Sequence, residues 1–224
     1  EYIYEQSKDE EKALELLEEL IKQSLNNNNQ PSSQKILCLA SYKSLNDYEW
    51  SNSLIVTDEI KDVFTRQVTE PKIENNLKQS LPLLENITNN ISSKVKVQYE
   101  TSPYPKWVNL RLQLKPATIS KVVSEIKLKI FDDKIREIEA PDILIAGCGT
   151  GQHSIETAAR FKDSKVLAID LSSSSLSYAK RKTEELNIQN IDYMQADILD
   201  LDKQDRQFDI VESVGVLHHM DEPI

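Results

Sequence analysis

Glycine, cysteine and long apolar runs are scarce in this chain of 224 residues, which has four glycines and two cysteines. Cys38 and Cys148 lie far apart, and no Cys or His has metal-ligand spacing. This argues against a disulfide framework and a zinc site, and a reducing, cytoplasmic environment is predicted. No stretch approaches the roughly 18 apolar residues that a membrane span requires, which excludes a membrane-inserted protein.

Positive charge is also in deficit. The sequence has 27 Lys and Arg against 37 Asp and Glu, a formal net charge of -10 at pH 7. Nucleic-acid binding is driven largely by cations that neutralise phosphates, so this balance disfavours a nucleic-acid partner. With 39% hydrophobic residues, the composition is that of a folded globular protein.

Amphipathic helices dominate the first 95 residues. The stretch SKDEEKALELLEELIKQSL spaces its apolar residues by three and four, and Ser7 with Glu10 matches a helix capping box. After a polar linker, further helical patterns cover residues 35–42, 57–69 and 70–91. We therefore predict an α-helical N-terminal region over residues 1–95, which offers a surface for a protein partner.

A segment rich in proline and aromatic residues, ETSPYPKWVNL, interrupts the helical pattern. Its prolines exclude a regular helix, while Tyr104 and Trp107 each supply a large apolar surface with one polar group. We predict an ordered connection over residues 96–139, with a helix from about residue 116 to 129. Two roles are open for Tyr104 and Trp107: closing over a cofactor or acceptor pocket, or packing between the two regions.

From residue 140 onward, apolar runs of strand length alternate with helical patterns. The predicted strands are ILIA at 143–146, KVLAID at 165–170, IDYMQAD at 191–197 and FDIVESVG at 208–215. Such alternation is typical of βαβ units and predicts a parallel sheet covered on both faces. The basic run from Lys180 to Lys182, on the second of these helices, is expected to form a solvated face.

Three of the four glycines, Gly147, Gly149 and Gly151, fall within five positions after the first strand. In a βαβ unit this turn leads into a helix N-terminus with free N–H groups, and glycine admits a ligand where a Cβ would obstruct it. One glycine would suffice for a tight connection, so the cluster predicts a cofactor-binding turn. A dinucleotide fingerprint would need a small residue at position 152, where the chain has Gln152.

The spacing G-x-G-x-G in GCGTG resembles the first motif of class I S-adenosylmethionine-dependent methyltransferases. Downstream, Asp170 ends the second strand about 20 residues after the loop, and QADILDL places Asp197 after the third. The stretch FDIVESVGVLHHMDEP is similar to the family's fourth-strand motif. The resemblance covers residues 140–224 and implies a Rossmann-like parallel sheet, order 3-2-1-4, truncated from a seven-stranded fold.

The resemblance implies S-adenosyl-L-methionine as the cofactor and methyl transfer to an unidentified acceptor, a small molecule or a protein. The implied cofactor contacts are Gly147, Cys148, Gly149, Gly151 and Gln152 in the loop, Asp170 and Leu171 at the ribose, Asp197 and Ile198 at the adenine, and Ser213 and Val214 beside the cleft. It implies no metal ligand. Inside the loop, Cys148 is interpreted as a small packing residue rather than a nucleophile.

One position departs from the family pattern. Many members carry an acidic residue two places before the first glycine, where this chain has Ile145, and this loss removes an indirect contact to the methionine amino group. A general base is needed only where the acceptor arrives protonated. His218 is the candidate, with His219 beside it, although the same His-His pair occurs in family members with differing acceptors.

The segment around Tyr104-Pro-Lys-Trp107 is also similar to the region before the methyltransferase domain in bacterial proteins that join tetratricopeptide repeats to it. No complete 34-residue repeat is present, so we expect any repeat array upstream of Glu1. We expect the remaining strands, and much of the acceptor site, beyond Ile224, and hence weak cofactor binding without turnover. Two other functions stay open: an NAD(P)-dependent oxidoreductase, and a non-catalytic partner-binding module with a vestigial cofactor fold.

Overall fold

The computed structural model describes residues 3, 5–113 and 115–219, and the chain divides into two units, Glu1–Ile73 and Glu74–Ile224. The second unit therefore includes residues 74–95, which the sequence pattern grouped with the helical region. The three-part division at residues 95 and 139 rests on sequence pattern and stays a prediction about domain organisation.

Helices form the first unit around a small apolar core. They are α1 (Lys8–Asn26), α2 (Ser33–Tyr42) and α3 (Lys61–Phe64), which continues through a π-helical turn, Thr65–Thr69. Two short 3-10 turns, Leu45–Asp47 and Glu49–Ser53, connect α2 to α3. The predicted capping box is confirmed, because Glu10 N donates to Ser7 Oγ and Ser7 N donates to Glu10 Oε2. The core contains Ile21, Ile36, Leu39, Leu45 and Val68.

The second unit is a four-stranded parallel sheet with helices. Helix α4 (Glu70–Gln79) begins at the end of the first unit and is followed by α5 (Asn90–Thr101), α6 (Ile119–Ile126), β1 (Asp142–Ala146), α7 (Gln152–Arg160), β2 (Lys165–Asp170), α8 (Ser173–Glu185), β3 (Ile191–Gln195) and β4 (Ile210–Glu212). The strand order is β3-β2-β1-β4, which confirms the predicted order 3-2-1-4.

Both faces of the sheet are buried, which explains the apolar runs in its strands. Ile143 and Ile145 of β1 face a core shared with α6, α7 and α8. Leu144 of β1 and Ile169 of β2 face the opposite side. That side is covered by Leu84 and by the 3-10 helix Ile198–Lys203. None of the helices in the described ranges is long and apolar enough to cross a membrane.

The helix predicted over residues 70–91 is wrong beyond Gln79, where α4 ends. The next residues run extended along β3: Gln195 N donates to the Pro82 carbonyl (2.8 Å), and Leu84 N donates to the Gln195 carbonyl (3.0 Å). A helix through this segment would clash with the proline ring and would lose these bonds. Helix α5 then begins afresh, with the Asn89 side chain as its cap.

The basic run on α8 is not the solvated face that its charge predicts. Arg181 and Lys182 are only 3% and 8% exposed. The Arg181 guanidinium pairs with Glu74 (2.9 Å) and with Glu185. Lys182 Nζ donates to the Val108 carbonyl (3.0 Å). The segment after α5 thus lies over this side of α8, and its carbonyls and nearby carboxylates stabilise the buried cations.

Candidate cofactor site

A cavity of about 850 Å³ lies at the carboxyl ends of the four strands. Its floor comes from the residues that follow each strand, and one wall comes from α5 and its cap residue together with Tyr104. The sequence-predicted residues that line it are Tyr104, Gly147, Cys148, Gly149, Gln152, Asp170, Leu171, Asp197, Ile198, Val214 and His218. Gly151, Ser213 and Trp107 do not line it. Segments distant in sequence therefore meet around one space.

The first two loop glycines are required by close contacts and by backbone conformation. Gly147 has a φ of +82°, and a Cβ there would lie 2.3 Å from Val216 Cγ2. Gly149 has a φ of +53°, and its N–H donates to Asp170 Oδ2 (2.8 Å). Residues that carry a Cβ rarely adopt such φ values, so the loop depends on glycine at both positions.

The third glycine has a packing role that the sequence did not reveal. Gly151 has a φ of +86°, and a Cβ there would lie 2.5 Å from the Cβ of Ala179 on α8. Its backbone thus faces the neighbouring helix and not the cavity. Ser213 is likewise directed elsewhere, because its hydroxyl donates to the Ala146 carbonyl (3.1 Å). Neither residue lines the cavity, and the predicted cofactor contacts at Gly151 and Ser213 stay predictions.

Asp170 is held rigidly at the end of β2. Its Oδ2 accepts the Gly149 N–H, and its Oδ1 accepts the Ser172 N–H (2.9 Å). Burial raises the pKa of the Asp170 carboxyl above its ordinary value, although these two backbone donors oppose the shift. A carboxylate fixed in this way can accept further hydrogen bonds from a ligand in the cavity, since each oxygen has a second lone pair.

Asp197 and Ser175 are polar residues that line the same cavity. Asp197 is 5% exposed and caps the 3-10 helix that follows it, with Oδ1 accepting the Leu199 N–H (3.1 Å). Ser175 Oγ is buried and has no hydrogen-bond partner among the described residues, although the residue lines the cavity. The Asp197 carboxylate fits a ligand that supplies hydrogen-bond donors, whereas the Ser175 hydroxyl is buried beneath the cavity surface.

The aromatic segment supports the glycine loop from outside the cavity. Trp107 Nε1 donates to the Thr150 carbonyl (3.1 Å), and Thr150 Oγ1 donates to the Pro105 carbonyl. The Tyr178 hydroxyl donates to the Trp107 carbonyl, and the two rings meet edge to face at 6.1 Å. Trp107 therefore packs against the loop and does not line the cavity, whereas Tyr104 lines the cavity and is 73% exposed. Their predicted part in an acceptor pocket stays a prediction.

The α5 wall was missed by the sequence interpretation. It contributes Asn89, Ile91, Ser92, Val95 and Tyr99. Glu100 attaches α5 to the N-terminus of α8, where its carboxylate accepts the Ser173 N–H (2.7 Å), the Ser174 hydroxyl (2.7 Å) and Lys78 Nζ (2.5 Å). Burial would raise the pKa of the Glu100 carboxyl, but these donors bring it to about 2. The serine run at 172–175 was read only as a cap for α8.

A His–Glu pair was also missed. His153 lines the cavity, and its Nε2 lies 2.8 Å from Oε2 of Glu212 on β4. Thr157 Oγ1 donates to the same oxygen (2.7 Å). Burial favours the neutral carboxyl, but the hydrogen bonds from His153 and Thr157 hold the pKa of Glu212 below its ordinary value. His218 lines the cavity, while the side chain of His219 lies outside the described residues.

No cluster of three or more His, Cys, Asp or Glu side chains in the described ranges could hold a metal ion. Cys148 is buried, and burial raises the pKa of its thiol well above the ordinary value. A neutral thiol is a poor nucleophile, so the geometry agrees with a packing role for Cys148.

Residues 143–224 match a family model described as "Methyltransferase domain". This match agrees with the resemblance of residues 140–224 to class I S-adenosylmethionine-dependent methyltransferases. The chain is 32% identical over 88 residues to an uncharacterized protein of Synechococcus sp., covering 39% of this chain and 21% of that protein. The chain is also 26% identical over 119 residues to a ubiquinone biosynthesis O-methyltransferase of Acinetobacter baumannii, covering 53% and 48% of the two chains. It thus spans half or less of the length of these relatives.

Among solved structures, the chain is similar to a SAM-dependent methyltransferase from Aquifex aeolicus, with 24% identity and a TM-score of 0.36, covering 46% of this chain and 51% of that one. PKMT2 from Rickettsia typhi in complex with AdoHcy has 30% identity and a TM-score of 0.33, covering 35% and 15%.

The site residues fit S-adenosylmethionine as the cofactor of the methyltransferase domain. The residues that line the cavity include three carboxylates, Glu156, Asp170 and Asp197. The cofactor carries several donors, namely the ribose hydroxyls, the adenine amine and an ammonium group. No Lys or Arg is among the described residues that line the cavity, so its charge complements a cationic sulfonium.

Proposed function

We propose that this chain binds S-adenosylmethionine as part of an enzyme that transfers the methyl group to an acceptor. One observation carries the proposal: Asp197, Asp170 and the glycine loop follow β3, β2 and β1 in spatial order around a single cavity. In a nucleoside with an extended substituent, the hydrogen-bonding groups follow the same order as these residues: first the base, then the ribose, then the substituent.

Each group in the cavity has a distinct part in this mechanism. Asp170 accepts hydrogen bonds from the ribose hydroxyls, and Asp197 accepts one from the adenine amine. The loop at Gly147 and Gly149 lets the rest of the cofactor approach the backbone. When bound, the cofactor supplies an electrophilic methyl group on a sulfonium. Because the transfer is an in-line displacement, the main contribution of the protein is to hold both reactants in position.

The lining of the cavity favours an acceptor with an apolar face and without negative charge. Ile91, Val95 and Tyr99 form an apolar wall, and Glu156 adds a carboxylate. A phosphorylated acceptor would find no Lys or Arg among the described lining residues. His218 remains the candidate base where the acceptor arrives protonated. A protein partner at the helical N-terminal region and a cytoplasmic location stay part of this proposal.

Calorimetric titration of the 224-residue chain with S-adenosylhomocysteine tests the proposal. Asp170→Asn should weaken binding by roughly tenfold or more, since it removes a charged acceptor. Asp192→Asn is the matched control, because Asp192 is an exposed carboxylate on β3 that lies outside this cavity. Asp197→Asn provides a second site variant if Asp170→Asn fails to fold.

A comparison with NADH distinguishes the oxidoreductase alternative. If NADH raises the melting temperature of the chain and S-adenosylhomocysteine does not, the methyltransferase proposal is refuted. If the cofactor binds but the full-length protein does not consume S-adenosylmethionine in a cell extract, the non-catalytic partner-binding module is favoured instead.

A further inference from the structure

Glu212 places a carboxylate directly beside the position where the family pattern expects one. Ile145 of β1 and Glu212 of β4 are Cα partners in the parallel register. Partnered residues of neighbouring strands project from the same face of a sheet, and this is the face on which α7 packs. The acidic group absent at Ile145 is therefore present one strand away.

The carboxylate is built into a specific network and is not a solvated charge. Glu212 Oε2 accepts from Thr157 Oγ1 (2.7 Å) and lies 2.8 Å from His153 Nε2. Both partners are on α7, which begins directly after the glycine loop. Glu212 does not itself line the cavity, but His153 does. Any effect of Glu212 on a ligand must therefore pass through His153.

The location of His153 indicates which part of the cofactor it meets. Under the proposed function, the adenine lies at the end of β3 and the ribose at the end of β2. The sheet order β3-β2-β1-β4 leaves the amino-acid end of the cofactor at the ends of β1 and β4. His153 lines the cavity, follows the loop after β1 and pairs with Glu212 of β4, so we assign it to this end.

We propose that Glu212 is a positioning residue that fixes the tautomer of His153 for contact with the cofactor ammonium group. The Nε2–H of a neutral imidazole donates to Glu212, so Nδ1 is the nitrogen that accepts a hydrogen bond. An ammonium group is a donor only and matches this acceptor. The Glu212–His153 pair thus performs from β4 and α7 the role that an acid at position 145 has elsewhere. The inference rests on the proposed function.

Two ligands separate this contact from the rest of the cofactor site. S-adenosylhomocysteine has the amino-acid end, whereas 5′-methylthioadenosine shares its adenine, ribose and thioether but lacks that end. Calorimetry with both probes on the 224-residue chain gives a ratio of dissociation constants. We expect Glu212→Gln to reduce the preference for S-adenosylhomocysteine by roughly tenfold. Affinity for 5′-methylthioadenosine should stay within about twofold of wild type.

Two further variants make the test specific. Leucine at position 153 has no hydrogen-bonding group in its side chain, so His153→Leu should also reduce the preference. Glu185→Gln removes a paired carboxylate outside the cavity and should change neither affinity. Circular dichroism melting checks that each variant is folded.

The proposal is overturned if Glu212→Gln weakens both ligands equally, because that result indicates a purely structural role. It is also overturned if neither site variant changes the ratio. If the wild-type chain binds neither ligand, the proposed function itself fails. Retained binding of 5′-methylthioadenosine with an unchanged ratio refutes only the Glu212–His153 assignment.

Discussion

Replacing Gly151 with alanine tests the packing role of the third loop glycine. The added Cβ would lie 2.5 Å from the Cβ of Ala179 and 3.0 Å from its Cα, in a backbone with φ of +86°. The left-handed conformation disfavours a non-glycine residue by about 1–2 kcal/mol, and overpacking adds about 1–3 kcal/mol. We expect Gly151→Ala to lower the free energy of unfolding by about 2–5 kcal/mol.

Gly215 provides a control with matched backbone strain. Its φ is +72°, but a Cβ there would meet no atom within 4 Å. Gly215→Ala should therefore cost only the backbone part, about 1–2 kcal/mol. Adding Ala179→Gly to Gly151→Ala removes the closest atom in conflict, the Cβ of Ala179, but leaves its Cα at 3.0 Å. It should recover part of the overpacking cost, less about 1 kcal/mol for glycine inside a helix.

Urea unfolding followed by tryptophan fluorescence measures these differences. The assay is best run in a Trp50→Phe background, so that Trp107 reports on the second unit alone. Trp50 Nε1 is buried without a partner among the described residues, so losing it removes no hydrogen bond. The argument is refuted if Gly151→Ala and Gly215→Ala are equally destabilising, or if Ala179→Gly recovers nothing.

Two carboxylate interactions give further predictions. The folded pKa of Glu100, about 2 against an ordinary value of 4.5, lies below the unfolded one, so its stabilisation is present above the unfolded pKa and is lost as pH falls. Glu100→Gln should lower stability by about 1–3 kcal/mol at pH 7, and urea midpoints should converge with those of wild type between about pH 5 and 2. Arg181→Met removes the cationic partner of the Glu74 carboxylate, whereas Glu185 keeps its ion pair with Lys182, and should lower stability by about 1–3 kcal/mol, measured by urea unfolding. Adding Glu74→Gln should restore part of this loss.

Local signals explain why the sheet and the glycine loop could be predicted. Continuous apolar runs indicate strands that are buried on both faces of the sheet. The spacing of Gly147 and Gly149 indicates a turn that a ligand can approach closely. Asp170 was found because it ends a strand at a fixed distance from that turn. Each of these features depends on residues close in sequence or on the strand order of a βαβ fold.

The rest of the site depends on contacts between residues far apart in sequence. Gly151 looks the same as Gly147 in the sequence, and only the position of Ala179 distinguishes their roles. Pro82 signalled a break in the helix, but its pairing with Gln195 had no local pattern. Glu212 lies in a strand that reads as a family motif, and its partner His153 is 59 positions earlier.

The N-terminus of α8 contacts both Asp170, which the sequence predicted as a site residue, and Glu100 of the α5 wall, which it did not. Ser172 N donates to Asp170, the carboxylate at the end of β2, and Ser173 N donates to Glu100, the carboxylate at the end of α5. The positive end of the helix dipole stabilises both negative charges. The α5 wall is therefore attached to the same helix end that orients Asp170. A change that releases Glu100 should disturb both the wall and the geometry of Asp170, so the two sides of the cofactor cavity form one coupled structure.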